Sequence, residues 1–310
     1  MTQWVEMKSH KKTKADFTRL VESRAPGLVE RIRAEIEAAE RDFDGRAQKG
    51  GSYLWEHTSH VAAFSLRLAI AENRAPLLPV LAALFHDSGK FAGGRYHLDD
   101  RPEEDDSAVV AERLMTGAGF RDREISSVAT SLRALYDEVA RPTWITDIVH
   151  DADFLSKFGA LGAAQFFVKS TLRGRTLRQA MVHALSKELT YAAGLPANMR
   201  TATGRRLARR KSRDSLAFFE SLLREMAEAG TADLVVRTFA VQPSAGGKKP
   251  VAVRLTVPRA CPACGAKGAV TFSTSPGLKC EKLEALWACR RCGESTTVAF
   301  CLPEIERRRG

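Results

Sequence analysis

Four short segments of this 310-residue chain gather imidazole and carboxylate groups. They are Glu56-His57-Thr58-Ser59-His60, His86-Asp87-Ser88-Gly89-Lys90, Glu103-Glu104-Asp105-Asp106 and His150-Asp151-Ala152-Asp153. Nitrogen and oxygen donors in this mixture suit a borderline divalent ion such as Mn, Fe, Co, Ni, Zn or Mg. The second segment ends the run Leu77–Phe85, which is apolar on every side. A charged group at the end of such a run is costly unless it has a partner, and a metal ion is one. Gly89 then ends the helix and Lys90 places a cation at the rim.

A second set of donors lies at the other end of the chain. Cys261-Pro-Ala-Cys264-Gly and Cys289-Arg-Arg-Cys292-Gly bring four thiols in two knuckles. Two residues between sulfurs let the chain turn so that both face one tetrahedral Zn²⁺, and a glycine after each knuckle permits positive φ. Four thiolates close the shell, so this zinc is expected to stabilise rather than catalyse. Cys280 and Cys301 read as small apolar residues near the ribbon. The clustering of all six cysteines after residue 260 argues for metal rather than a disulfide scaffold.

The elements that must position these groups are mostly helices. Apolar spacing of about 3.6 residues predicts helices within 11–44, 52–71, 77–85, 105–117, 121–139, 143–158, 160–169, 175–193 and 203–229. Residues 91–103 read as a loop. After residue 230 the texture changes, and Leu234–Val241 and Val251–Val257 flank a Pro/Gly-rich turn as a hairpin does. Val270–Thr274 with Pro276-Gly277 reads as a further short strand and turn. The predicted organisation is an N-terminal helical extension (1–50), an all-α bundle (51–230), and a hairpin with a zinc ribbon (231–310).

The order His57, His86-Asp87, Asp151, with His-Asp-x-Gly-Lys closing a helix, resembles the HD superfamily of metal-dependent phosphohydrolases. Val149–Ala160 and Thr203–Ala208 also look like a stand-alone bacterial branch of it. The resemblance implies a mainly α protein: an HD-type helical bundle followed by a small β-rich zinc ribbon. It implies His57, His86, Asp87 and Asp151 as ligands of one divalent ion (Mn, Fe, Ni, Co or Mg), beside one structural zinc on Cys261, Cys264, Cys289 and Cys292. It gives Asp87 a part in orienting water, Lys90 a place at the substrate phosphate, and Glu104 the general acid or base role. Arg95 and His97 are expected to grip phosphate. His60 is expected to lie outside the ligand set, His150 to pack or cap, and Asp153 to make structural hydrogen bonds. Few histidines lie between the His-Asp pair and Asp151, which argues against a complete second metal site.

Composition sets outer bounds. Hydrophobic residues are 44% and charged residues 27%, which excludes a mainly disordered or collagen-like chain. The longest apolar runs fall short of the about 20 residues that a bilayer span needs, and the N-terminal stretch does not read as a signal peptide. A soluble, cytoplasmic protein without a membrane partner is expected. Net charge is uneven: −3 over 1–150 and +14 over 151–310. Arg173, Arg175 and Arg178, and then Arg205, Arg206, Arg209, Arg210, Lys211 and Arg213, suggest an anionic partner, a phosphorylated small molecule or nucleic acid. The expected function is hydrolysis of a phosphoric ester: a nucleotide, a cyclic nucleotide or a nucleic-acid end. The alternative is an inactive HD-fold factor that binds nucleic acid or protein through its basic face and ribbon.

Overall fold

A computed structural model describes residues 16–43, 51–92, 102–136, 140–231, 233–241, 251–261, 263–267, 270–276 and 282–301. The chain is mainly α, as its periodicity predicts, and forms two compact units, Met1–Val149 and His150–Gly310.

The first unit is helical. It contains α1 (Phe17–Glu22), α2 (Leu28–Phe43), α3 (Tyr53–Ala71), α4 (Leu77–Phe85), α5 (Glu103–Gly117), α6 (Asp122–Arg133) and the start of α7 (Trp144–Ser156). The apolar run makes α4 the central element, with Val80 to Phe85 all fully buried. Around it pack α1, α2, α3, α5 and α6, contributing Leu28, Ile32, Ile36, Val61, Leu68, Met115 and Leu132. A core of this kind is the main source of stability in a helical bundle. α7 is started by reciprocal bonds: the Thr146 amide donates to Thr143 Oγ1, and the Thr143 amide to Thr146 Oγ1, both at 3.1 Å.

The second unit continues with α8 (Gly159–Leu172), α9 (Leu177–His183), α10 (Leu185–Asn198) and α11 (Ala202–Glu228). The helix predicted over 175–193 is thus two, broken at Ala184, whose φ of −120° and ψ of −27° lie outside the helical range. Two antiparallel sheets follow: β1 (Leu234–Val241) with β2 (Val251–Pro258), and β3 (Val270–Pro276), β4 (Lys282–Cys289) and β5 (Ser295–Cys301) in that order. The predicted hairpin is present in the register Leu234↔Pro258 to Val241↔Val251.

That hairpin is not an appendage. Leu234 shares a core with Phe166, Met181, Leu185, Phe219 and Leu223, and Val253, Leu255 and Val257 are buried. The second edge of β2 would leave backbone groups exposed, and α10 covers it with side-chain hydroxyls. Thr190 Oγ1 donates to the Arg254 carbonyl and accepts from the Arg254 amide, both at 2.9 Å. One turn earlier, Ser186 Oγ accepts from the Thr256 amide at 2.8 Å. Residues four apart on a helix share a face, so α10 offers hydroxyls at the spacing of alternate strand residues. Replacing Thr190 with the isosteric Val strips both Arg254 groups of their partner. We expect a loss of about 2 kcal/mol, read as a lower urea midpoint with an unchanged slope.

Candidate metal centres

The first histidine is placed by a carboxylate that sequence periodicity does not reveal. Ser52 caps α3, its Oγ accepting from the Trp55 amide at 2.8 Å. Glu40 of α2, itself buried, takes the Ser52 hydroxyl on one oxygen and the Leu54 amide on the other, the latter at 3.4 Å. Negative charge at a helix N-terminus meets its unpaired amides. His57 sits one turn further on and is 6% exposed.

His86 and Asp87 follow the end of α4. His86 Nδ1 lies 2.7 Å from the Ala83 carbonyl. That nitrogen carries the proton and donates it, which leaves Nε2 with a lone pair. The two Nε2 atoms of His57 and His86 are 3.4 Å apart, and Asp87 Oδ2 is 3.6 Å from the first and 3.5 Å from the second. An ion about 2.1 Å from each donor sets its ligands about 3.0 Å apart at right angles and about 3.4 Å apart at tetrahedral angles. Two imidazoles and a carboxylate oxygen at these separations fit a divalent cation.

The turn after His86 is held from the side. Ser107 Oγ donates to the His86 carbonyl at 3.0 Å and accepts from the Gly89 amide at 2.9 Å. A Cβ on Gly89 would stand 2.4 Å from the Ser107 amide and 2.6 Å from Asp106 Cβ, so glycine is needed because α5 comes so close. Lys90 Nζ lies 3.1 Å from both Asp87 oxygens and 4.0 Å from Glu103 Oε2. Glu104, on the first turn of α5, has its carboxyl pushed above the ordinary range. Burial is the main cause; the Glu103 and Asp87 charges add to it, against its own backbone amide and Lys90. Arg95 and His97 lie outside the described residues.

The fourth predicted ligand has a different setting. Asp151 is fully buried in the second unit. Its Oδ1 accepts from the Arg200 amide at 2.7 Å and lies 3.0 Å from His150 Nδ1. Its Oδ2 accepts from the Thr201 amide at 2.7 Å and from Thr201 Oγ1 at 2.8 Å. Thr201 in turn caps α11 by accepting from the Gly204 amide at 2.9 Å, and a Cβ on Gly204 would stand 2.2 Å from Asp151 Oδ2. The predicted ligand is thus engaged as the anchor for the start of α11. The His150 ring lies against that of Phe154, tilted by 36° with centroids 4.7 Å apart, which fits a packing role. Asp153, read from the sequence as structural, is fully buried as well, with Oδ2 2.6 Å from Lys157 Nζ.

The cysteine site lies within the second unit. Cys261 Sγ is 3.5 Å from Cys292 Sγ and Cys264 Sγ is 3.7 Å from Cys289 Sγ, and all four sulfurs fall within 4.8 Å of one another. A disulfide needs about 2.05 Å, whereas thiolates at about 2.3 Å from a tetrahedral ion stand about 3.8 Å apart. The two knuckles share one geometry: Gly265 and Gly293, with φ of +68° and +77°, return their amides to the Cys261 and Cys289 carbonyls at 2.8 and 2.9 Å. Backbone amides of Cys292 and then Arg291 pull the Cys289 thiol down to about 7. Against the Glu294 amide, burial and the sulfurs of Cys261, Cys264 and Cys289 push the Cys292 thiol up to about 12, so one sulfur of the four takes the negative charge first. β4 and β5, not predicted from sequence, carry the second knuckle between them.

Two outcomes follow. Raising the folded-state value of Glu104 means that burial favours its protonated form, so stability is lost as pH rises through that value. In chelator-treated protein, Glu104→Gln should therefore raise Tm at neutral pH and leave it unchanged near pH 4. Asp151→Ala removes the acceptor of three donors at the start of α11, and should cost about 3 kcal/mol in chemical denaturation.

Residues 54–156 match the family model described as HD domain. Among solved structures, the chain is similar to a predicted HD superfamily hydrolase from an uncultured Thermotogales bacterium: 22% identity, 67% of this chain and 97% of that one, TM-score 0.47. It is also similar to YpgQ of Bacillus subtilis in complex with ADP (24% identity, 64% and 94% covered, TM-score 0.47). A third is an HD-superfamily hydrolase from Bacillus thuringiensis (19% identity, 64% and 98% covered, TM-score 0.44). No curated protein is significantly similar to the chain, and no described helix is long and apolar enough to cross a membrane. Residues 54–156 of this mainly α chain thus match the HD domain family, and the four-cysteine cluster towards the C-terminus fits a zinc-ribbon-like module.

Proposed function

We propose that the chain hydrolyses a phosphoric ester of a small phosphorylated molecule, a nucleotide above all, at one divalent-metal centre held by His57, His86, Asp87 and Asp153. The observation that carries this reading is the triangle of His57 Nε2, His86 Nε2 and Asp87 Oδ2, with sides of 3.4, 3.5 and 3.6 Å. Lone pairs and negative charge are turned towards one another there, an arrangement that a cation stabilises.

Asp153 is preferred to Asp151 for two reasons. Both Asp151 oxygens already accept hydrogen bonds, from Arg200 and Thr201. Two residues apart on a helix, the carboxylates point about 200° away from one another, so only one can face a given ion. Asp153 is buried like the two histidines, and each of the three can offer a ligand atom to a shared ion. Each also lies within the stretch that matches the HD family.

A bound divalent ion supplies a hydroxide near neutral pH and polarises a phosphoryl oxygen. The chain's residues do the rest. Lys90 steadies the Asp87 carboxylate from both oxygens and is a compact point charge suited to phosphate. Glu104, whose carboxyl burial pushes above the ordinary range, serves in this reading as the donor of a proton to the leaving oxygen. Arg95 and His97 extend the phosphate grip. Residues 51–230 carry the reaction, with 1–50 and 231–310 as supporting segments. Thiols paired for zinc suit a reducing cytoplasm.

Metal analysis with turnover on a nucleotide panel tests the assignment. Wild type should hold one zinc and about one further divalent ion per chain. Asp87→Ala and Asp153→Ala should lose that second ion and turnover while keeping zinc. Cys264→Ser should lose zinc with turnover largely retained. Retention of the second metal and full activity in Asp153→Ala would refute the ligand set.

A further inference from the structure

The basic cluster on α11 divides into two faces. Lys211 is buried and donates to the Phe158 carbonyl at 2.7 Å. Arg205 is exposed but its Nη1 reaches the Met199 and Arg200 carbonyls at 3.2 and 3.3 Å. Arg173, of the earlier basic segment, contributes to the field around Glu188, a carboxyl that burial pushes up and Lys169, Lys187, Lys157 and Arg173 draw down. The remaining arginines behave differently. Arg206, Arg209, Arg210 and Arg213 are all exposed, and make no hydrogen bond or ion pair among the described residues.

Spacing i, i+3, i+4, i+7 puts these four guanidinium groups within about 100° of arc, along about 10 Å of helix. The opposite face carries Gly204, Ala208, Ser212, Ser215 and Phe219, all buried. The stripe is therefore rigidly mounted. Its helix is fixed at the N-terminus by Thr201 and Asp151 and along its length by the core. Unpaired like charges this close repel one another, and nothing in the fold is gained by them. Guanidinium is suited to forked recognition of phosphate. The apolar residues on this arc are the alanines Ala202, Ala217 and Ala227, beside Glu220, Arg224 and Glu228, so it lacks the large apolar anchors by which a basic helix lies in a membrane.

We propose that Arg206, Arg209, Arg210 and Arg213 form a docking stripe for the phosphate backbone of nucleic acid. No base-stacking aromatic lies in the stripe, so binding is independent of base sequence. It needs neither metal centre and is separable from the hydrolytic reading.

The test is fluorescence anisotropy of the full, zinc-loaded protein with a labelled duplex DNA of about 20 base pairs, titrated at several salt concentrations. Log affinity should fall with log salt at a slope of about −3.6 for four phosphate contacts, at about 0.9 per contact. Each single Arg→Gln change in the stripe should make the slope shallower by about 0.9. Arg259→Gln removes the same charge from a guanidinium already 3.3 Å from Asp233, and should leave the slope as it is. Circular dichroism and zinc content confirm that each variant is folded. Equal effects of Arg259→Gln and the stripe variants would reduce the attraction to net charge and overturn the stripe. So would no measurable binding at low salt, or binding to anionic vesicles but not to the duplex. None of these outcomes bears on nucleotide turnover.

Discussion

Much of the first unit depends on how closely the start of α5 approaches the turn after α4. A single hydroxyl, Ser107 Oγ, spans from the His86 carbonyl to the Gly89 amide. It satisfies two backbone groups that a helix end leaves open, in a place that excludes even a methyl group at position 89. That approach fixes the direction in which His86 and Asp87 leave the apolar helix. It also brings the Glu103–Asp106 run beside them, which explains why Lys90 answers to carboxylates from both segments. Glycine, serine and lysine here are consequences of one packing distance.

A second constraint works at the other end of α7. Asp151 accepts from the peptide amides that precede α11. Two aspartates two positions apart on one helix thus leave it in nearly opposite directions. One ties the chain to a helix fifty residues further on, and its neighbour is left to the opposite side.

Much of this was open to reading from the residues themselves. The uniformly apolar 77–85 run reads as a central helix, which it is, and the His-Asp pair at its end pointed to the candidate site. The two Cys-x-x-Cys-Gly knuckles declared their shared geometry, since spacing and glycine suffice for it. Other features depend on partners remote in sequence. Choosing between Asp151 and Asp153 requires Thr201 and Gly204, which no local pattern connects to them. Glu40 looks like any solvated helix acid until Ser52 meets it. The break at Ala184 lacks a glycine or proline to announce it, and β4 and β5 lack the strict alternation that reveals a strand. Lys211 shows that a basic run is not one surface, because helical phase buries one member and displays the next.

The hydroxyl seal along β2 has a consequence for how the chain can be divided. A cut at the helix-to-strand transition near residue 230, natural by composition, would leave Ser186 and Thr190 without their strand and bare the apolar side of Met181, Leu185 and Phe219. The severed hairpin would meanwhile present a pairing-competent border to its own copies. Both fragments would therefore tend to self-associate, so the strand pair belongs with α8 to α11 in any truncation.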